Sequence, residues 1–93
     1  MKVYRIYTED INRETIETLA DEMLPEYTIY NAVGKWDHVK ENSLILEYID
    51  FGSFVSSEHD MATIIWNVAT AIKKLNNQQV VLTTVQDIQA TLV

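Results

Sequence analysis

The chain contains no cysteine, one proline and two glycines among its 93 residues. Without cysteine there can be no disulfide, no thiolate nucleophile and no thiolate metal site. The shortage of proline and glycine leaves few sharp turns, so most of the chain is expected in regular elements. Long apolar runs are also missing. None approaches the ~20 residues of a membrane-spanning helix, and the opening MKVYRIYTED has no signal-peptide h-region. These features predict one intracellular, cytoplasmic domain over residues 1–93 with no membrane contact. Basic residues are scarce too. Lys2, Arg5, Arg13, Lys35, Lys40, Lys73 and Lys74 are scattered against fourteen acids, for a net charge of −7. Direct nucleic-acid binding needs a clustered basic surface, so it is not expected.

What is present is periodicity. Residues 57–77 (SEHDMATIIWNVATAIKKLNN) place Met61, Ile64, Ile65, Val68, Ile72 and Leu75 in one stripe at 100° per residue. Ser57 with Asp60 three residues later reads as a capping-box-like start, and Lys73 and Lys74 suit the negative end of the helix dipole. Trp66 projects roughly 140° from the Met61 direction, on a side shared with His59, Thr63 and Thr70, and is flanked by the small residues Ala62 and Ala69.

Earlier in the chain, KVYRIYT (residues 2–8) alternates as a strand. Asn12 is a candidate N-cap for a helix reaching about Leu24, with Ile16, Leu19, Ala20 and Met23 on one face and Pro25 beyond its end. YTIYNAV (27–33) is a second strand ended by Gly34. KWDHVKEN (35–42) reads as a polar connection carrying Trp36 and His38. SLILEYIDF (43–51) is apolar enough for a central strand. The tail VVLTTVQDIQATLV (80–93) holds one long strand, or two short ones meeting near Gln86 and Asp87.

The order strand, helix, strand, strand, helix, strand predicts an α+β fold of the ferredoxin-like, split βαββαβ type. It is a sandwich whose antiparallel sheet carries two helices on one face, the helices crossing over between parallel neighbours. Tyr4 and Ile6 oppose Val3, Arg5 and Tyr7 on the first strand. Leu44, Leu46 and Tyr48 oppose Ile45, Glu47 and Ile49 on the third. Apolar groups on both faces predict that the uncovered face pairs, giving a homodimer.

The strand YRIYTED, the Gly34-Lys35-Trp36 step and the tail NNQQVVLTTV resemble small uncharacterised bacterial and phage-encoded proteins. The resemblance implies a ferredoxin-like fold and a counter-defence or regulatory role. It brings no activity, and no functional residue is carried over from it.

No constellation for catalysis stands out. Ser56, Ser57, His59 and Asp60 crowd a helix start, where adjacent residues fan outward and a cap explains them. His38 and His59 lack metal-ligand spacing, and Gly34 and Gly52 are isolated, so no catalytic residue, metal ligand or cofactor is assigned. Two surfaces ask for partners instead. Glu14, Glu17 and Asp21 form an acidic ridge on the first helix, flanked by Glu9, Asp10, Glu22 and Glu26 and suited to a basic protein partner. Trp66 is the second, as a residue type enriched at interface hot spots. The leading expectation is a non-enzymatic interaction or inhibitor module. The alternative is a ligand-binding or hydrolytic domain whose pocket forms at a dimer interface, lined by tyrosines and His38 or His59.

Overall fold

The computed structural model describes residues 1–51 and 60–93. Its elements run β1 (Lys2–Glu9), α1 (Arg13–Met23), β2 (Thr28–Trp36), β3 (Val39–Asp50), α2 (Met61–Leu75) and β4 (Leu82–Asp87). The sheet order is β2-β3-β1-β4 with every pairing antiparallel, which is the split βαββαβ, ferredoxin-like α+β arrangement. The strands joined by each helix are not neighbours, contrary to expectation. β3 lies between β1 and β2, and β1 lies between β3 and β4.

Register decides which side chains meet the helices. Ile6 stands opposite Leu46, and Leu46 opposite Ile29; Tyr4 stands opposite Tyr48. These residues pack against Ile16 and Ala20 of α1 and Met61, Ile65, Val68, Ala69 and Ile72 of α2. Ile16, Val68 and Ile72 are wholly buried, as the 3.6-residue period requires of a core stripe. Leu75 was expected in that stripe but is 41% exposed at the end of the helix. Ala69, expected beside Trp66, instead belongs to the core.

The helix ends differ from their expected chemistry. α2 starts at Met61, capped by the Asp60 carboxylate, which accepts the Thr63 backbone N–H at 2.8 Å. Ser57 lies outside the described residues, so its capping role rests on the sequence alone. Asn12 occupies the N-cap position of α1, but its backbone is left-handed (φ 55°) and its side chain caps nothing. Its Nδ2 instead donates to Asn76 Oδ1 at 2.8 Å, and Asn76 Nδ2 donates to the Ile11 carbonyl at 3.0 Å. One side-chain amide thus latches the C-terminus of α2 to the β1–α1 junction.

The α2 terminus is a Schellman motif. Gln78 N–H bonds the Lys73 carbonyl, Asn77 N–H bonds the Lys74 carbonyl, and Asn77 adopts φ 50°. The turn delivers Gln78 onto β1, where Nε2 donates to the buried Thr8 hydroxyl at 2.7 Å.

The largest departure from expectation is at residues 35–42. They form no connection but complete a long hairpin, with Lys35 opposite Lys40 and Trp36 opposite Val39. Asp37 and His38 both have positive φ (47° and 66°), the backbone of a two-residue type I′ turn. Neither is glycine, and that hid the turn. The tail carries one strand ending at Asp87, after which Ile88 N–H bonds the Met1 carbonyl.

Asn76→Ala removes both amide contacts of the latch and is expected to lower the unfolding free energy by about 1–2 kcal/mol. Urea denaturation reads the shift, and an unchanged midpoint would reject the latch.

Candidate functional site

Beyond the C-terminal end of β1, the hairpin tip and the α2–β4 loop face each other across an open cleft of about 690 Å³. Tyr7, Thr8 and Glu9 give its floor, Trp36 and Glu41 one wall, and residues 76–80 the other. The cleft depends on the three devices just described: the type I′ turn, the Schellman turn and the Asn76 latch.

Strand alternation then sorts the wall residues. Tyr7, Glu9, Ser43, Glu41, Gly34 and Trp36 all project to the sheet face away from the helices, as the register shows: Tyr7 opposite Ile45, Glu9 opposite Ser43, Gly34 opposite Glu41. Gly34 has no room for a side chain there, because the Ser43 hydroxyl and the Trp36 indole fill the space. A Cβ at this position would lie 2.9 Å from both Ser43 Oγ and Trp36 Nε1, so a larger residue would push the indole off its seat. The Ser43 hydroxyl is buried and has no hydrogen-bond partner.

Glu41 stands opposite Gly34 across the hairpin. Its pKa is raised, first by loss of hydration and then by the charge of Glu9. The Ser43 hydroxyl works the other way, close enough to favour the carboxylate while falling short of hydrogen-bond geometry. Two half-buried carboxylates and an indole therefore line the cleft, with the Ser43 hydroxyl buried behind them and outside it.

The rest of the uncovered face is less apolar than strand alternation suggested. Val3 and Ile45 are already buried within the chain, at 2% and 9% exposure. The middle of the face carries Arg5, whose Nε donates to Glu47 Oε2 at 2.8 Å, and the Tyr30 hydroxyl, 3.3 Å from the same oxygen. The Arg5 pKa is raised chiefly by that carboxylate. Burial foremost raises the Tyr30 pKa.

The residues singled out from the sequence are scattered. On α1, Glu17 pairs with Arg13 at 3.5 Å, and Asp21 accepts the Tyr27 hydroxyl at 2.6 Å. The Asp21 carboxylate is the main reason the Tyr27 pKa is pushed up to about 12. Glu14 is exposed. Trp66 is 65% exposed on α2, with Ala62 also exposed. His38 stands at the hairpin turn, while His59 lies outside the described residues. Among the described residues, no group of three or more His, Asp or Glu is placed to hold a metal ion, and no helix is long and apolar enough to cross a membrane. Sequence reasoning missed Glu9 and Glu41 as a pair, because 32 residues and an unrecognised hairpin separate them.

No family model and no curated protein matches the sequence. The fold is similar to that of a phage SAM lyase, with a TM-score of 0.71 at 17% identity, covering 91% of this chain and 78% of that one. It is also similar to a DUF3240 family protein from Shewanella baltica OS155, with a TM-score of 0.64 at 14% identity over 99% and 96% of the two chains. A third is CPII, a nitrogen regulatory PII-like protein from Thiomonas intermedia K12, with a TM-score of 0.61 at 19% identity over 99% and 93%. Phage and bacterial proteins thus share the ferredoxin-like fold of this chain.

The raised Glu41 pKa sets a stability test. Folding disfavours the charged carboxylate, so its contribution is most favourable below the ordinary value of 4.5 and is lost as pH rises through the folded value. Glu41→Gln is therefore expected to stabilise the fold at pH 7, by roughly 0.5 kcal/mol for a relieved like-charge neighbour. The gain should vanish in acid. A gain that is independent of pH would show that the carboxylate is not strained there.

Proposed function

We propose that this chain is a small-molecule-binding module whose ligand is an adenine nucleoside derivative seated in the cleft beside Trp36. The observation that carries the reading is the cleft itself. A volume of about 690 Å³ suits a nucleoside-sized ligand, and the partly exposed Trp36 indole offers a stacking surface for a purine. Exposed Asn77 and Gln79 supply amide groups of the kind that read an adenine edge, and Glu9 and Glu41 can accept from ribose hydroxyls. Two similar structures support it in kind. The phage SAM lyase is also known in complex with S-methyl-5′-thioadenosine, and CPII is bound to ADP, AMP and bicarbonate. The sequence-based alternative of a ligand pocket is kept, with Tyr7 and Trp36 in place of the histidines.

S-methyl-5′-thioadenosine is expected to bind in calorimetry, and Trp36→Ala to weaken it at least about tenfold, as loss of a stacked base implies. No heat with this ligand, adenosine or ADP at millimolar concentration would reject the reading.

A second reading, of an interaction or inhibitor module, is favoured by Trp66, an exposed tryptophan on a helix with a small neighbour, Ala62. In it, the acidic residues Glu14, Glu17 and Asp21 dock a basic protein, for a phage-encoded chain a host defence component, and the chain acts as a homodimer. Light scattering at micromolar concentration is expected to give twice the 10.8 kDa chain mass, with Trp66→Ala reducing it. A wild-type mass of one chain would remove the dimer.

A further inference from the structure

Among the described residues the sheet ends on two free edges, β2 and β4. Charge guards the first. Lys35 stands in β2, and Arg13 reaches from α1 to bond Asn31 at 2.7 Å. β4 reads LTTVQD, and its one charged residue, Asp87, stands opposite Lys2 of β1. The Ile88 N–H bonds the carbonyl of Met1, the residue facing it, and hydrogen-bonded pairs alternate along an antiparallel ladder. Leu82, Thr84 and Gln86 therefore bond β1, and the N–H and C=O groups of Thr83, Val85 and Asp87 point away from it. A strand of this kind, rich in β-branched residues and with open backbone groups, is a surface to which another strand adds.

The open groups fit a second copy of the chain. They are symmetric about Val85. A two-fold axis there pairs Val85 with its own copy and Thr83 with Asp87, so the two Asp87 carboxylates stay apart. Val85 stands opposite the buried Tyr4, on the helix side of the sheet, and is nonetheless 56% exposed. The helix layer matches as well. α2 crosses from β3 over β1 to β4 and packs on the last two. In the right-handed sense of such crossovers, the flank of α2 that carries Ala62 and Trp66 turns toward the β4 edge. Joining the two sheets would then separate the α2 axes by two strand spacings, roughly 10 Å, which is the spacing of packed helices. Exposed Ala62 leaves room for that approach, and exposed Trp66 lies beside it. A stable dimer buries about 800 Å² per partner, more than one strand edge supplies, so the helices have to join the strands.

We propose that two copies pair antiparallel along β4 about Val85, forming one eight-stranded sheet with the two α2 helices packed side by side. This rests on the reading of the chain as a homodimer and names the surface that pairs. It leaves free the uncovered sheet face, where Arg5 is held by Glu47.

Light scattering reads the dimer, and two variants at Val85 read the edge. Proline there removes an N–H that β1 does not use, so Val85→Pro is expected to keep the native circular dichroism and to weaken dimerisation at least about tenfold. The chain has no cysteine, and facing Cα atoms of a hydrogen-bonded pair lie about 5.5 Å apart, within disulfide reach. Mild oxidation of Val85→Cys is therefore expected to link two chains at least about tenfold faster than oxidation of Val33→Cys, on the exposed hairpin. If Val85→Pro fails to fold, the cysteine comparison decides. A wild-type mass of one chain would overturn the pairing together with the dimer reading, and so would a mass of three chains. Twice the chain mass with equal linking rates would overturn the β4 interface alone and leave the dimer standing.

Discussion

A four-stranded sheet with both helices on one side can bury only one of its faces against them, and Ile29, Leu46 and Ile6 form the row on which that burial turns. The three stand in register across β2, β3 and β1. Shifting any strand by one residue would bring Tyr30, Ile45 or Arg5 under the helices in their place. Leu46 and Ile6 are almost wholly buried, and Ile16, Val68 and Ile72 close over the sheet from the two helices. Once the row is set, every odd residue of β1 and β3 is assigned to the uncovered face. Arg5 and Glu47 are there because of it, and they meet because their strands pair at that position.

The same row fixes the end of the sheet where the cleft lies. β1 finishes at Glu9 while the β2–β3 hairpin runs on for several residues, so Trp36 and Glu41 overhang a floor that has already ended. The α2–β4 loop fills the other side because Asn77 accepts a left-handed backbone, which sends Gln78 back onto Thr8. Both turns that shape the cleft therefore rely on positive φ at residues other than glycine: Asp37 and His38 in the hairpin, Asn77 in the loop. Asparagine and aspartate tolerate this region better than other side chains, and that tolerance replaces the glycines the chain lacks.

Much of the fold was legible in the sequence, and the reason is periodicity. Ile16, Ala20, Ile65, Val68 and Ile72 lie where a 3.6-residue period puts them, and Tyr4, Ile6, Leu44 and Leu46 where a two-residue period does. The hairpin was not legible, because Asp37-His38 carries none of the Asn-Gly or Asp-Gly signature of a type I′ turn. With it went the cleft. Glu9 approaches Glu41 only once β3 is known to extend back to Val39, and Thr8 meets Gln78 across 70 positions of sequence. No local pattern encodes such pairs. They follow from topology plus turn geometry.

The net charge of −7 also divides into two kinds once the fold is known. The acids of α1 stand in solvent, Glu17 beside Arg13 and Asp21 taking the Tyr27 hydroxyl. At physiological salt, charges there are screened beyond about 8 Å, and their repulsion costs a few tenths of a kcal/mol per pair. Such a ridge is easily kept for solubility and says little about a ligand. Glu41 is different. Its carboxylate is partly dehydrated, close to Glu9, and assisted only by a hydroxyl outside hydrogen-bond geometry, which is why its pKa rises. The ridge holds more charge than the cleft, but at Glu41 burial and a like-charged neighbour push a carboxylate toward its neutral form.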